Sequence, residues 1–169
     1  MGVKSGLPQI APTNARLFIL GSLPGDASLA AARYYAHPTN QFWRLLGTAI
    51  GEDLAEIDYP KRLERLAERR IGLWDVFASA KRHGSLDQAI ADAKHNQVAQ
   101  LLTDHPGLRA IAFNGGTAAR IGRKLIGEAR VDLIDLPSSS AANTASFAAK
   151  AAAWARLAQY AAPAQKGGR

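Results

Sequence analysis

The chain of 169 residues contains no cysteine. That absence excludes disulfides, thiolate nucleophiles, cysteine-ligated zinc and iron–sulfur clusters. Histidine is scarce as well: His37, His83, His95 and His105 follow no metal-ligand spacing, so neither a metal nor a cofactor is expected. No apolar run approaches the roughly 20 residues of a membrane span. Residues 1–12 lack the continuous apolar stretch of a signal peptide. A cytoplasmic protein with no membrane partner is the expectation. Acidic residues are outnumbered, 14 against 21 Lys and Arg, which gives a formal charge of +7. Such an excess is either a solubility device or the mark of a polyanionic partner, nucleic acid above all. The positive residues are spread along the chain, so a basic groove has to be assembled by folding. Internal repeats are absent, and the one compositional bias is alanine enrichment near the C-terminal end.

What is present fits one domain, 1–169, with 47% hydrophobic residues to build its core. Residues 1–14 carry Gly2, Gly6, Pro8 and Pro12 and read as irregular; 163–169 read as a flexible tail. Between them two kinds of segment alternate. Strand patterns are read at 16–21, 71–77, 108–113 and 131–136. Helical spacing is read over about 40–50, 60–70, 86–93, 97–103, 117–126 and 144–161. Strands separated by helices predict parallel βαβ units, here an α/β fold: a three-layer α/β/α sandwich around a four-stranded parallel sheet. Ligands of such sheets sit beyond the carboxyl ends of the strands. That rule places 21–26, 78–82, 114–116 and 137–143 around one crevice.

Those same segments carry a resemblance. Gly21-Ser22-Leu23-Pro24-Gly25 follows the first strand, and Leu136-Pro137-Ser138-Ser139-Ser140 ends the last. Tyr35-Ala36-His37-Pro38-Thr39-Asn40-Gln41-Phe42-Trp43 lies between them, with Leu73-Trp74-Asp75-Val76, Arg82-His83-Gly84-Ser85-Leu86-Asp87 and Phe113-Asn114-Gly115. In this order the motifs resemble the uracil-DNA glycosylase superfamily, over about residues 16–160. The stretch around Asn40 resembles the mismatch-specific uracil/thymine glycosylases, and more closely the hypoxanthine-DNA glycosylase branch. The resemblance implies a monomeric enzyme of base excision repair that needs no cofactor. It would flip a deaminated base out of DNA, hydrolyse its N-glycosidic bond and leave an abasic site. No lysine demands a Schiff-base role, so lyase activity is not expected. Leu23 and Leu136 stand where other branches carry polar residues. Gly25 stands where the hypoxanthine branch has serine, which ranks uracil ahead of hypoxanthine as the base removed.

Each candidate residue has a role and a plainer alternative. Asn40 is implied by the resemblance to position the attacking water; alone, it reads as the N-cap of a helix over 41–50. Tyr35 stacks on the flipped base or belongs to the core. Asn114 can donate to and accept from an imide edge, or simply opens an Asn-Gly turn. The amides of Gly115, Gly116 and Thr117 could bind an anion. Asp75 and Ser79 are further base-reading candidates, weaker than Asn114, the alternative for Asp75 being a buried, hydrogen-bonded structural role. Ser22, Leu23 and Gly25 offer backbone N–H groups to a departing base. Asp26 is a secondary candidate for activating water, its alternative being the N-cap of 27–33. Ser138, Ser139 and Ser140 are candidates for the flanking phosphates. Ala141, Ala142 and Asn143 would then enter the vacated stack, unless Asn143 caps the last helix. Arg82 and Arg123 lead the basic residues near the crevice, with Lys81, Arg120 and Lys124. Two other functions stay open: a module that binds damaged or abasic DNA without turnover, and an α/β protein with a small nucleotide-like ligand.

Overall fold

The computed structural model describes residues 2–164. Its centre is built from the apolar runs. β2 (Leu17–Gly21) and β6 (Ala110–Asn114) are buried at every position. They pair in parallel, with β3 (Ile71–Asp75) outside β2 and β7 (Asp132–Leu136) outside β6. Strands covered on both faces need apolar side chains on both, which is why these segments read as continuous hydrophobic runs. Only the edge strand β7 exposes acids, Asp132 and Asp135. The sheet order β3-β2-β6-β7 and the flanking helices give the α/β sandwich expected from the sequence.

Helices cover both faces. Leu17, Ile19 and Leu73 pack against α2 (Phe42–Ile50), α3 (Tyr59–Arg69) and α6 (Phe147–Trp154) through Leu45, Leu46, Leu66 and Trp154. Phe18, Leu20 and Phe113 pack on the other side against α4 (Leu101–Asp104) and α5 (Gly116–Ile126) through Leu101, Ala118 and Ile126. Each fully buried large side chain contributes about 1.5–3 kcal/mol, so two such layers clamp the strand ends firmly. Local signals set the helix boundaries. Asp58 caps α3 by accepting from the Lys61 N–H, with Pro60 in the first turn.

Four expectations need correction. The second predicted strand, 71–77, stops at Asp75. Val76 and Phe77 donate their N–H groups to Gly21 and Ser22, and the chain bends into a separate antiparallel sheet. That sheet joins β1 (Val3–Ser5), β4 (Phe77–Lys81) and β5 (Ala91–His95) in the order β1-β4-β5. The N-terminal segment is therefore not irregular throughout, and 86–93 is not a helix but a short 3-10 turn (Asp87–Ala89) entering β5. Pairing with β4 overrides local helical spacing there. The last helix is shorter than 144–161: Ser146, not Asn143, caps α6, which passes into a 3-10 segment, Ala155–Gln159. Residues 165–169 of the expected tail lie outside the described residues.

Candidate active site

The carboxyl ends of all four parallel strands open into one cavity of about 600 Å3. That is the size range of ligand sites. The segment between α1 (Asp26–Ala31) and α2 supplies Tyr35 and Asn40, and the β4–β5 connection supplies Ser85–Gln88.

Gly21 forms the floor. A Cβ at this position would lie 2.6 Å from Asp75 Oδ1 and 2.9 Å from the Tyr35 hydroxyl, so only glycine leaves the floor open. Asp75 is 4% exposed. Its Oδ2 and the Tyr35 hydroxyl are buried without a hydrogen-bond partner among the described residues. Burial pushes the Asp75 carboxyl up to about 7, with the nearby Asp87 adding to the rise and Arg82 opposing it. Burial, and then Asp75, also raises the Tyr35 phenol above its ordinary value. Tyr35 holds a left-handed backbone, φ 53°, a conformation that costs a non-glycine residue energy and gathers at functional sites. Its ring lies flat on Phe42, centroids 3.9 Å apart.

One wall is a relay of hydrogen bonds. The Asn114 amide bonds Ser139 twice: Nδ2 donates to Oγ and Oδ1 accepts from the backbone N–H, both at 2.9 Å. The Ser139 hydroxyl donates onward to Asn40 Oδ1 at 2.8 Å, and the same oxygen accepts from the Phe42 N–H at 2.9 Å. Both lone pairs of Asn40 Oδ1 are thereby engaged, and its Nδ2 donors remain for a ligand. The buried Lys150 ammonium sits behind this wall and donates to Gln41 Oε1 and to the Ser140 carbonyl. Gln41 in turn gives its N–H to the Ser139 carbonyl. α6 thus ties the start of α2 to the loop after β7.

The opposite wall is held by Arg82, which is fully buried and donates to the carbonyls of Leu23, Pro24 and Gly84. These loop carbonyls have no sheet partner, and a planar guanidinium satisfies several at once. Ser22 donates to Asp87 at 2.6 Å.

A model of the uracil DNA glycosylase superfamily matches residues 7–158. The chain belongs to this superfamily. As such it is a DNA glycosylase, an enzyme that hydrolyses the N-glycosidic bond. It is 44% identical over 155 residues to a hypoxanthine DNA glycosylase of Methanosarcina barkeri, covering 90% of this chain and 96% of the relative. A hypoxanthine DNA glycosylase of Methanosarcina acetivorans is 45% identical over 141 residues, 83% of this chain and 89% of the relative. A solution NMR structure from M. acetivorans, described as a candidate uracil DNA glycosylase, superposes with a TM-score of 0.84 at 40% identity. It covers 94% of this chain and 98% of that one.

The glycosylase fold brings most of the candidate residues together. Ser22, Leu23, Gly25, Tyr35, Asn40, Asp75, Asn114, Ser138, Ser140 and Asn143 all line the cavity. The side chains of Leu23 and Leu136 belong to the apolar core. Ser139 also lines the cavity but is fully buried and engaged with both asparagines; it is a link in the wall, not a phosphate contact. Asn40 is not the N-cap residue, Gln41 being that, yet its oxygen still serves the first helical N–H. Asp26 begins α1 after the N-cap Gly25 and stands exposed at the rim. Its bond from Lys4 holds the carboxyl below its ordinary value, which makes it a poor base for water. The Gly115 N–H donates to the Leu136 carbonyl and is not free for an anion.

Three candidates fall away from the cavity. Ser79 is carried off on β4, opposite Ser5. Arg82 is sealed under the first loop and presents nothing to DNA. Arg123 lies on α5, outside the cavity lining, with its guanidinium on Asp135 and the Leu133 carbonyl. Sequence reasoning missed Lys150, Gln41 and Asp87. A lysine inside an alanine-rich helix was the one available sign of the first.

Proposed function

We propose that this glycosylase removes a deaminated base from DNA, hypoxanthine ahead of uracil, and leaves an abasic site without cutting the strand. The observation that carries the reading is the fixed amide of Asn40, set on the wall of the cavity at the strand ends by the relay from Asn114 through Ser139. The flipped base enters the cavity and stacks against Tyr35, whose other face rests on Phe42. Asn40 holds the water in line through its Nδ2 donors. Little strength is demanded of that nucleophile, because cleavage of a glycosidic bond develops an oxocarbenium-like sugar. Ser138, Ser140 and Asn143, on the rim, take the phosphates beside the flipped nucleotide, and backbone N–H groups around Gly25 face the departing base. Asn114 keeps one N–H and one lone pair for the base edge.

Sequence alone ranked uracil first on the strength of Gly25. The two relatives named hypoxanthine DNA glycosylases, each above 40% identity, support the reverse order. We place the protein with the cell's DNA in the cytoplasm, acting as a monomer. The test is cleavage of matched duplexes carrying hypoxanthine, uracil or thymine at one position, with alkali to reveal abasic sites. Fastest cleavage at hypoxanthine is expected. Fastest cleavage at uracil would restore the order drawn from Gly25. Binding without cleavage of any duplex would leave a damage-binding module in place of the enzyme proposed.

A further inference from the structure

The relay on the wall leaves the cavity floor unexplained. Two buried polar atoms there, Asp75 Oδ2 and the Tyr35 hydroxyl, have no partner among the described residues. Native proteins pair such atoms, and an exception calls for a ligand or a chemical role. The other oxygen of the same carboxyl, Asp75 Oδ1, and the Tyr35 hydroxyl stand against the bare Cα of Gly21, where a side chain would fill the space. The floor is therefore kept open and polar.

The groups facing Asp75 favour its protonated form. Asp87, from the β4–β5 connection, brings a like charge and accepts from Ser22. Arg82 brings the opposite charge, but its guanidinium is committed to three carbonyls. Tyr34 and Tyr35, from the segment before α2, are phenols with raised pKa values and so stay neutral. Ser22 and Asn114, from the ends of β2 and β6, carry no charge. Where two carboxyls share a site of low polarity, one keeps its proton.

On the excision reading above, we propose that Asp75 is the proton donor to the departing base, poised on the cavity floor beside the Tyr35 hydroxyl. As the bond from C1′ to the base nitrogen breaks, its electron pair goes to the base. The proton on Asp75 passes to a ring nitrogen or to the carbonyl oxygen conjugated with it, so the base leaves neutral. The water held by Asn40 adds to C1′ and releases its proton to solvent. Asp75, now a carboxylate, regains a proton from solvent once the base has gone. Asn40 and Asp75 thus divide the reaction, one serving the sugar and the other the leaving group. Burial brings the carboxyl to about 7, so it both gives and regains a proton near neutral pH.

The test compares wild type with Asp75→Asn in single-turnover excision, on one duplex carrying hypoxanthine and one carrying 5-fluorouracil. The anion of 5-fluorouracil is stable enough to leave without a proton. For hypoxanthine the variant is expected to lose at least about tenfold in rate, while duplex affinity stays within about twofold. The wild-type rate should fall as pH rises through neutrality, and the variant should lose that fall. On 5-fluorouracil the loss should be smaller. An infrared difference spectrum of wild type against D75N, taken below neutral pH, should show a protonated carboxyl, independently of turnover. Its absence would overturn the proposal. So would an unaltered rate and pH profile in D75N, or a wild-type rate that climbs with pH, which would make Asp75 a base. A wild type that cleaves beside an unaltered D75N overturns this inference alone. A wild type that releases no base from any duplex overturns the excision reading, and this inference with it.

Discussion

On the wall made by the loop after β7, the key polar side chains are partnered: Asn114 on Ser139, Ser139 on Asn40, Asn40 on Phe42. On the floor beside Gly21, Asp75 Oδ2 and the Tyr35 hydroxyl have no partner among the described residues. The two regions line the same cavity and follow opposite rules. A satisfied network is rigid and fixes a geometry. An unsatisfied pair stores an interaction that a ligand can complete. The wall reads as the part that positions, and the floor as the part that reacts with what arrives.

The largest effect should come from breaking the wall at Asn40, where the proposed reaction takes its water. Asn40→Ala removes the donors for water and should slow single-turnover excision at least about 100-fold, with DNA affinity preserved. A rate within tenfold of wild type, roughly the noise of misplacement, would take Asn40 out of the chemistry.

Next comes the floor, read by stability. The folded pKa of Asp75 is raised from 3.8 to about 7, so the native state keeps a proton that the unfolded chain releases. Stability carried by this group is complete below about pH 4 and is lost as pH climbs to about 7, on the order of a few kcal/mol. Asp75→Asn cannot ionise and should lack that slope. Urea unfolding between about pH 4 and pH 8 should show the variant gaining steadily on wild type. A variant that slows excision yet stabilises the protein above neutral pH would mark the floor as built for reaction. Parallel slopes would show Asp75 ionised in the fold.

Ser139→Ala cuts the relay in the middle, leaving the buried Asn114 Nδ2 without its acceptor and taking one of two donors from the half-buried Asn40 Oδ1. It should cost about 1–3 kcal/mol of stability and slow excision less than Asn40→Ala does. A change in affinity and salt slope, with stability intact, would return Ser139 to the phosphates. The smallest effect belongs outside the cavity. Arg123→Ala should leave excision and the salt dependence of DNA binding unchanged, and alter stability by no more than about 1 kcal/mol, because its exposed pair with Asp135 is weak. A shallower salt slope would move DNA onto that face.

How legible these regions were depends on burial. The run Leu17-Phe18-Ile19-Leu20 is covered on both faces by helices, and a strand in that position has to be apolar throughout. β5 is exposed along most of its length, so Ala91-Asp92-Ala93-Lys94-His95 carries no strand pattern; pairing with β4 makes it one. The motifs around Asn40 and Asn114 were visible, but their connection was not. Ser139 lies 99 residues from Asn40, and no local signal says which hydroxyl will bridge two amides. Arg82 read as a cation facing DNA and Lys150 carried no reading at all, because long basic side chains are seldom fully buried. Their burial follows from unpaired loop carbonyls that need donors, which only the folded loops create.

The sequence by itself determined the parallel sheet, the four strand ends and the set of loops that meet there. Hydrophobic periodicity and turn chemistry are local, and they survive in one dimension. Tertiary structure alone decided which polar groups are satisfied, which are sealed away and which are left open. Partner choice and burial depend on segments brought together from across the chain, and the Asp75 carboxyl is pushed up from its ordinary value only when that assembly excludes water around it.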